Sequence, residues 1–126
     1  MKLRIHGNAV RVRLNQAEVG QFSKTGWLEE SIEFAPGAVL SFSLESLGSV
    51  QATCAKYCNG ALKILVPASL ANAWVTSEQV GMEGEQAIAN GKRLSILIEK
   101  DFQCVHGDLD PDAYPNPLAE AAPKME

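Results

Sequence analysis

The chain reads as a strand-rich α+β domain, with two short helices set among hairpins whose strands form a mainly antiparallel, curved or partly closed sheet. Three observations predict this class. Apolar and polar residues alternate in most segments, the period of a half-buried strand. Turn pairs separate those segments at hairpin spacing: Gly7-Asn8, Pro36-Gly37, Asn59-Gly60 and Asn90-Gly91. Helical spacing is confined to two stretches, about 16–25 and 68–76. The order is ββ-α-ββ-ββ-α-ββ. Helix followed by hairpin occurs twice, and no residue-level repeat is visible.

The first hairpin spans Lys2 to Leu14. A two-residue turn at Gly7-Asn8, with Gly at its first central position, pairs Ile5 with Val10 and Leu3 with Val12. It also sets Arg4 opposite Arg11 and Lys2 opposite Arg13, and like charges so placed repel. Asn15 and Glu18 form a reciprocal cap at the start of the first helix, with Leu14 and Val19 as its hydrophobic staple. Gly26 stops that helix.

Leu28, Ile32 and Phe34 share one face of the next strand, with Glu30 as the polar exception on it. The return strand carries Leu40, Phe42 and Leu44. A loop at 35–39 keeps apolar residues together by pairing Phe34 with Leu40 and Ile32 with Phe42. A third hairpin spans 49–57 and 61–66. The second helix carries Leu70, Ala73 and Trp74 on one stripe, and Trp74 reads as core. The last hairpin, 79–88 and 93–100, puts Val80, Met82 and Ile88 on a face with Leu94, Ile96 and Ile98, and Glu83, Glu85 and Glu99 on the other. Gly81 and Gly84 read as bulges.

At 126 residues, 46% of them hydrophobic and 21% charged, the chain is long enough for one real core. The expected organisation is a single α+β domain over 1–106 and an acidic, proline-containing tail over 107–126. Residues 1–106 hold ten Lys/Arg and ten Asp/Glu, so the net charge of −4 belongs to the tail. A neutral body argues against nucleic-acid binding, which needs a dominant basic surface. No run of about 18 apolar residues is present, so no membrane span is expected. No continuous apolar stretch follows Lys2 and Arg4, so no secretory leader is read there. Three cysteines, an odd number, fit a reducing compartment, and the cytoplasm is the expected location.

Several segments together carry a resemblance. They are Gly7-Asn8 through Arg11-x-Arg13-Leu14-x-Gln16-x-Glu18-Val19, Gln79-Val80-Gly81-x-Glu83-x-Glu85-Gln86, Glu99-Lys100-Asp101-Phe102-x-Cys104 and Pro115-Asn116-Pro117. The chain resembles a family of small bacterial proteins of unknown function. The resemblance implies a self-contained bacterial domain and carries over no catalytic or binding residue.

Two groups of residues could carry chemistry. Lys2, Arg4, Arg11 and Arg13 form a basic ribbon suited to phosphate, a carboxylate ligand or a nucleic-acid backbone. The structural alternative is an ion ladder with Glu29 and Glu33, or with Glu83, Glu85 and Glu99. A third reading lays the acidic tail on the ribbon, in the same chain or a partner. Cys104, His106 and Asp108 could begin a metal or thiol site, but zinc would want about four ligands at suitable spacing. Asp108-x-Asp110-x-Asp112 starts like a calcium loop, yet Ala113 stands where Gly is required and Ala119 where Glu is. No catalytic motif is found and no cofactor is implied. The expected function is a non-enzymatic module that binds another protein or itself. Anion binding through the ribbon is the alternative, and a Cys104/His106 site comes after it.

Overall fold

A computed structural model describes residues 1–102. Hairpin β1 (Lys2–Ile5) and β2 (Ala9–Leu14) runs into helix α1 (Gln16–Thr25). Hairpins β3 (Trp27–Ala35) with β4 (Ala38–Leu47), and β5 (Cys54–Cys58) with β6 (Ala61–Pro67), follow. Helix α2 (Ala68–Val75) leads to β7 (Gly81–Ala87) and β8 (Arg93–Lys100).

The α+β class and the strand-rich character are as expected, but the sheet is not. In place of one curved or partly closed antiparallel sheet there are two open four-stranded mixed sheets. Sheet A has the order β1-β2-β8-β7 and sheet B the order β3-β4-β6-β5. Each joins two antiparallel hairpins through a parallel central pair, β2 with β8 and β4 with β6. The helices are the cause. Each carries the chain from one sheet to the other, so a sheet receives hairpins from distant parts of the sequence. Hairpin signals fix the pairing inside a hairpin and say nothing of the hairpin beside it.

The two halves of the chain are equivalent. Leu3↔Val12 in the first hairpin becomes Ala55↔Ile64 in the third, 52 residues on. Leu28↔Leu44 becomes Met82↔Ile98, 54 residues on. The isolated backbone hydrogen bonds repeat too. Ser95 N–H donates to Asn8 O at 3.1 Å and Ser41 N–H to Gly60 O at 2.9 Å. Lys100 N–H donates to Val80 O at 2.9 Å and Ser46 N–H to Gly26 O at 2.8 Å. The same offsets align Ala9 with Ala61, Arg11 with Lys63, Gly37 with Gly91, Leu40-Ser41 with Leu94-Ser95 and Glu45 with Glu99. The chain is therefore a structural repeat, with identical residues at only scattered positions. The two extra residues between α2 and β7 break its spacing.

One core serves both sheets. Val12, Leu14, Ile96 and Ile98 of sheet A, and Leu44, Ile64 and Val66 of sheet B, meet Phe22 of α1 and Trp74 of α2. The helices sit at the strand ends where β2 and β6 enter them, and the hairpin turns lie at the opposite ends. Local signals hold where they need no distant partner. Glu18 N–H donates to Asn15 Oδ1 at 2.9 Å and Asn15 N–H to Glu18 Oε1 at 2.8 Å, the reciprocal cap. Gly26 closes α1 with φ +70°. Asn59 and Gly60 both have positive φ, as a two-residue turn of that twist demands.

Two local expectations need correction. The second hairpin turns on two residues, with a register shift between Glu33 and Ala35, so Ile32 faces Leu40 and Glu30 faces Phe42. The bulge restores the face that a plain two-residue turn would flip. Gly81 and Gly84 lie in unbroken pairing with β8. Gly84 instead admits a neighbour, since a Cβ there would stand 2.8 Å from Thr53 Cβ.

Candidate functional site

Alternation in β2 decides where the basic ribbon points. Val10, Val12 and Leu14 are buried, so Arg11 and Arg13 turn to the outer face of sheet A, with Lys2 and Arg4 beside them. One row across that face runs Arg4, Arg11, Leu97, Glu83. The next runs Lys2, Arg13, Glu99, Gly81. The basic hairpin thus lies on one side of the sheet and the acidic hairpin on the other.

Carboxylates meet three of the four cations. Arg11 hydrogen-bonds and ion-pairs with Glu99. Arg13 stands 3.6 Å from Glu99 and 3.4 Å from Asp101. Lys2 Nζ donates to Asp101 Oδ2 at 2.9 Å. The Lys2 hydrogen bond, with Arg13 and Arg11 nearby, holds the Asp101 carboxyl below its ordinary range. Among the described residues Arg4 makes no ion pair. It lies with His6 and Arg11 on one wall of a groove of about 610 Å³, with Glu83 and Glu85 on the other and Ser95 and Leu97 between. Glu85 is bound at 2.6 Å by Arg93.

Sheet B repeats the polarity, with a row running Lys56, Lys63, Ser43, Glu29. Its inner face differs from that of sheet A near the turns. Ile32, Leu40 and Tyr57 are 52%, 37% and 70% exposed there, beside half-buried Phe42 and Leu62, and Phe34 in the adjoining bulge is 69% exposed. The equivalents of Phe42 and Leu62 in sheet A, Ile96 and Val10, are buried. Gln86 stands where Ile32 does, and its amide clasps the edge of β5. Ala55 N–H donates to Gln86 Oε1 at 2.7 Å, and Gln86 Nε2 donates to Ala55 O at 3.1 Å. Sequence reasoning put Ile32, Phe34 and Leu40 on one face but gave no sign that the face runs past the core.

Cys104, His106 and Asp108 lie outside the described residues. Among the described residues no group of three or more His, Cys, Asp or Glu could hold a metal ion. Cys54 and Cys58 are free thiols on β5. Trp74 is core, as expected.

A family model described as a family of unknown function, DUF7009, matches residues 1–118. The chain belongs to that family. No curated protein and no solved structure matches it. The DUF7009 match takes in residues 103–118, so Asp108, Asp110, Asp112 and Pro115-Asn116-Pro117 belong to the family's own domain. No helix among the described residues of this DUF7009 chain is long and apolar enough to cross a membrane.

Proposed function

We propose that the chain is a non-enzymatic interaction module that associates with a protein surface, a second copy of itself included, through the apolar end of sheet B. The observation that carries this reading is the exposure of Ile32, Leu40 and Tyr57 on one sheet face, with Phe34 exposed in the adjoining bulge. A contiguous apolar patch rimmed by polar residues is a mark of protein contact. Glu30, which faces Phe42 in the same row and ion-pairs with the Met1 amine, borders the patch on that face. Among the described residues β3, nine residues long, is an edge strand of sheet B beside the patch. The setting we assign is the bacterial cytoplasm, from the odd cysteine count and the family resemblance.

Anion binding through the ribbon has less to support it. Glu99 and Asp101 match three of its cations, which leaves Arg4 and His6 in the groove.

Sedimentation equilibrium of the full chain over a wide concentration range tests self-association. The expected result is a mass above that of one chain, reduced to the monomer by Phe34→Ser with Ile32→Ser while circular dichroism stays native. A wild-type chain that remains a monomer throughout would overturn the self-association reading.

A further inference from the structure

The outer face of sheet A has a groove with an acidic and a basic wall, and nothing among the described residues covers it. We propose that its basic wall is the docking surface for the chain's own residues 103–118, with Asp108, Asp110 and Asp112 drawn to Arg4, His6 and Arg11. This goes beyond the association reading above and does not rest on it.

Three observations converge. The first is charge. Residues 103–118 carry three aspartates and no Lys or Arg, and they follow a body whose charges balance. The second is where the described chain ends. Asp101 N–H donates to Leu14 O at 2.8 Å, which prolongs the β2–β8 ladder by one residue. The Asp101 side chain is held on the outer face by Lys2 and Arg13. The described chain therefore ends just past Asp101, which is held on the same face beside Lys2 and Arg13. Leu97, in the same row as Arg4, lies four residues back along β8, roughly 13 Å at strand rise. Asp108 lies seven residues ahead and can reach roughly 23 Å. The third is family extent. The family match runs to residue 118, so it takes in this segment.

Tethering makes the contact favourable even if each ion pair is weak. A short tether supplies an effective concentration in the millimolar range. Exposed pairs of this kind are individually weak and are screened by salt, so the docking should be salt-sensitive. Glu83, opposite Arg4 across the groove, would repel the aspartates and confine them to the β1–β2 side.

The internal repeat supplies a control. Lys56 is the equivalent of Arg4 on sheet B, equally exposed and beside Lys63. It lies on the other sheet from Asp101.

The test uses the full chain. Amide NMR spectra are compared between wild type and Asp108→Asn/Asp110→Asn/Asp112→Asn. The expected shifts fall on Arg4, His6, Arg11, Ser95 and Leu97, spare Lys56 and Lys63, and fade with added salt. Arg4→Glu should speed proteolytic cleavage within 103–118 several-fold, and Lys56→Glu should leave it unchanged. Asp110→Lys should restore protection in the Arg4→Glu chain. Absence of shifts on sheet A, or equal effects of Arg4→Glu and Lys56→Glu, overturns the proposal. Shifts that grow with protein concentration also overturn it, since the segment would then dock on a second copy. Inorganic phosphate moving the same amides while the aspartate substitutions do not would make the face an anion site instead. The mass measurement on sheet B variants stands apart from all of these outcomes.

Discussion

Phe22 and Trp74 meet edge to face, with ring centroids 6.3 Å apart and planes at 69°, and they occupy the same position in the two halves of the repeated chain. Each comes from the helix that carries its half from one sheet to the other. Both are buried, and the Trp74 indole N–H also donates to Val80 O at 2.9 Å. Their contact ties together the two crossings on which the fold depends.

Truncating either ring should therefore cost much of the stability. Phe22→Ala and Trp74→Ala each remove a large buried side chain, worth about 3–5 kcal/mol. The double variant should fall short of the sum by about 0.5–1.5 kcal/mol, the share that belongs to the ring pair. Urea unfolding of the four chains measures both quantities. Strict additivity would mean that the two helices are stabilised separately.

Much of this was legible in the sequence, and the part that was not has a common cause. The Asn15/Glu18 cap, the Asn59-Gly60 turn and the outward face of Glu83, Glu85 and Glu99 are set by neighbours within a few residues. The parallel pairing of β2 with β8 is set by where the helices deliver each hairpin, and no local signal encodes that. The register of β3 against β4 was misread because a bulge beside Phe34, not a longer loop, keeps Ile32 and Leu40 on one face. The repeat escaped notice because its offset changes after α2. At the candidate site, Glu99 was among the carboxylates expected to meet the ribbon. Asp101 was not, since it lies past the end of β8 where no strand pattern points.

Gly60 should tolerate no side chain. Its φ is +76°, and a Cβ would lie 2.7 Å from Val39 O, a backbone atom that cannot swing away. In the other half the equivalent residue is Asn8, whose Nδ2 donates to Arg93 O at 2.6 Å. Here a polar side chain takes up the carbonyl that Gly60 approaches with bare backbone. Gly60→Ala should lower stability by about 1–3 kcal/mol through strain and a shift of β4. Thermal unfolding checks it, and an unchanged midpoint would show that the turn can rearrange freely.

The Gln86 clasp should be as costly to lose. Gln86→Leu keeps the bulk of the side chain but leaves Ala55 N–H and C=O without their partner at a partly buried edge. Each unsatisfied group there costs about 1–3 kcal/mol unless water reaches it. Hydrogen exchange at Ala55 should accelerate markedly more than at Ile64 in the next strand. Equal acceleration at both would mean a global loss of stability and no clasp.

Stability should fall at both ends of the pH range, for reasons centred on Glu18. Burial of the Met1 amine opposes its charge, but hydrogen bonds and attraction from Glu18 and Glu30 outweigh this and raise its pKa above the ordinary 8.0. A group with a raised folded-state pKa contributes below its unfolded value and loses that contribution as pH rises through the folded one. The amine thus sets an alkaline limb above about pH 8. Burial would likewise push Glu18 up, but the hydrogen bonds from the Met1 amine and Asn15 N–H hold it below the ordinary 4.5. Its contribution is present above that value and disappears as pH falls through the depressed one. Asp101, lowered by Lys2, adds to the same acid limb below its ordinary 3.8. Glu18→Gln should flatten part of both limbs, because it removes a shifted carboxylate and one cause of the amine shift. Asp101→Asn should flatten the acid limb alone. Melting temperatures from pH 2 to 10 for the three chains separate these cases. An Asp101→Asn chain with an altered alkaline limb would show that the two ion clusters are coupled through the start of β1.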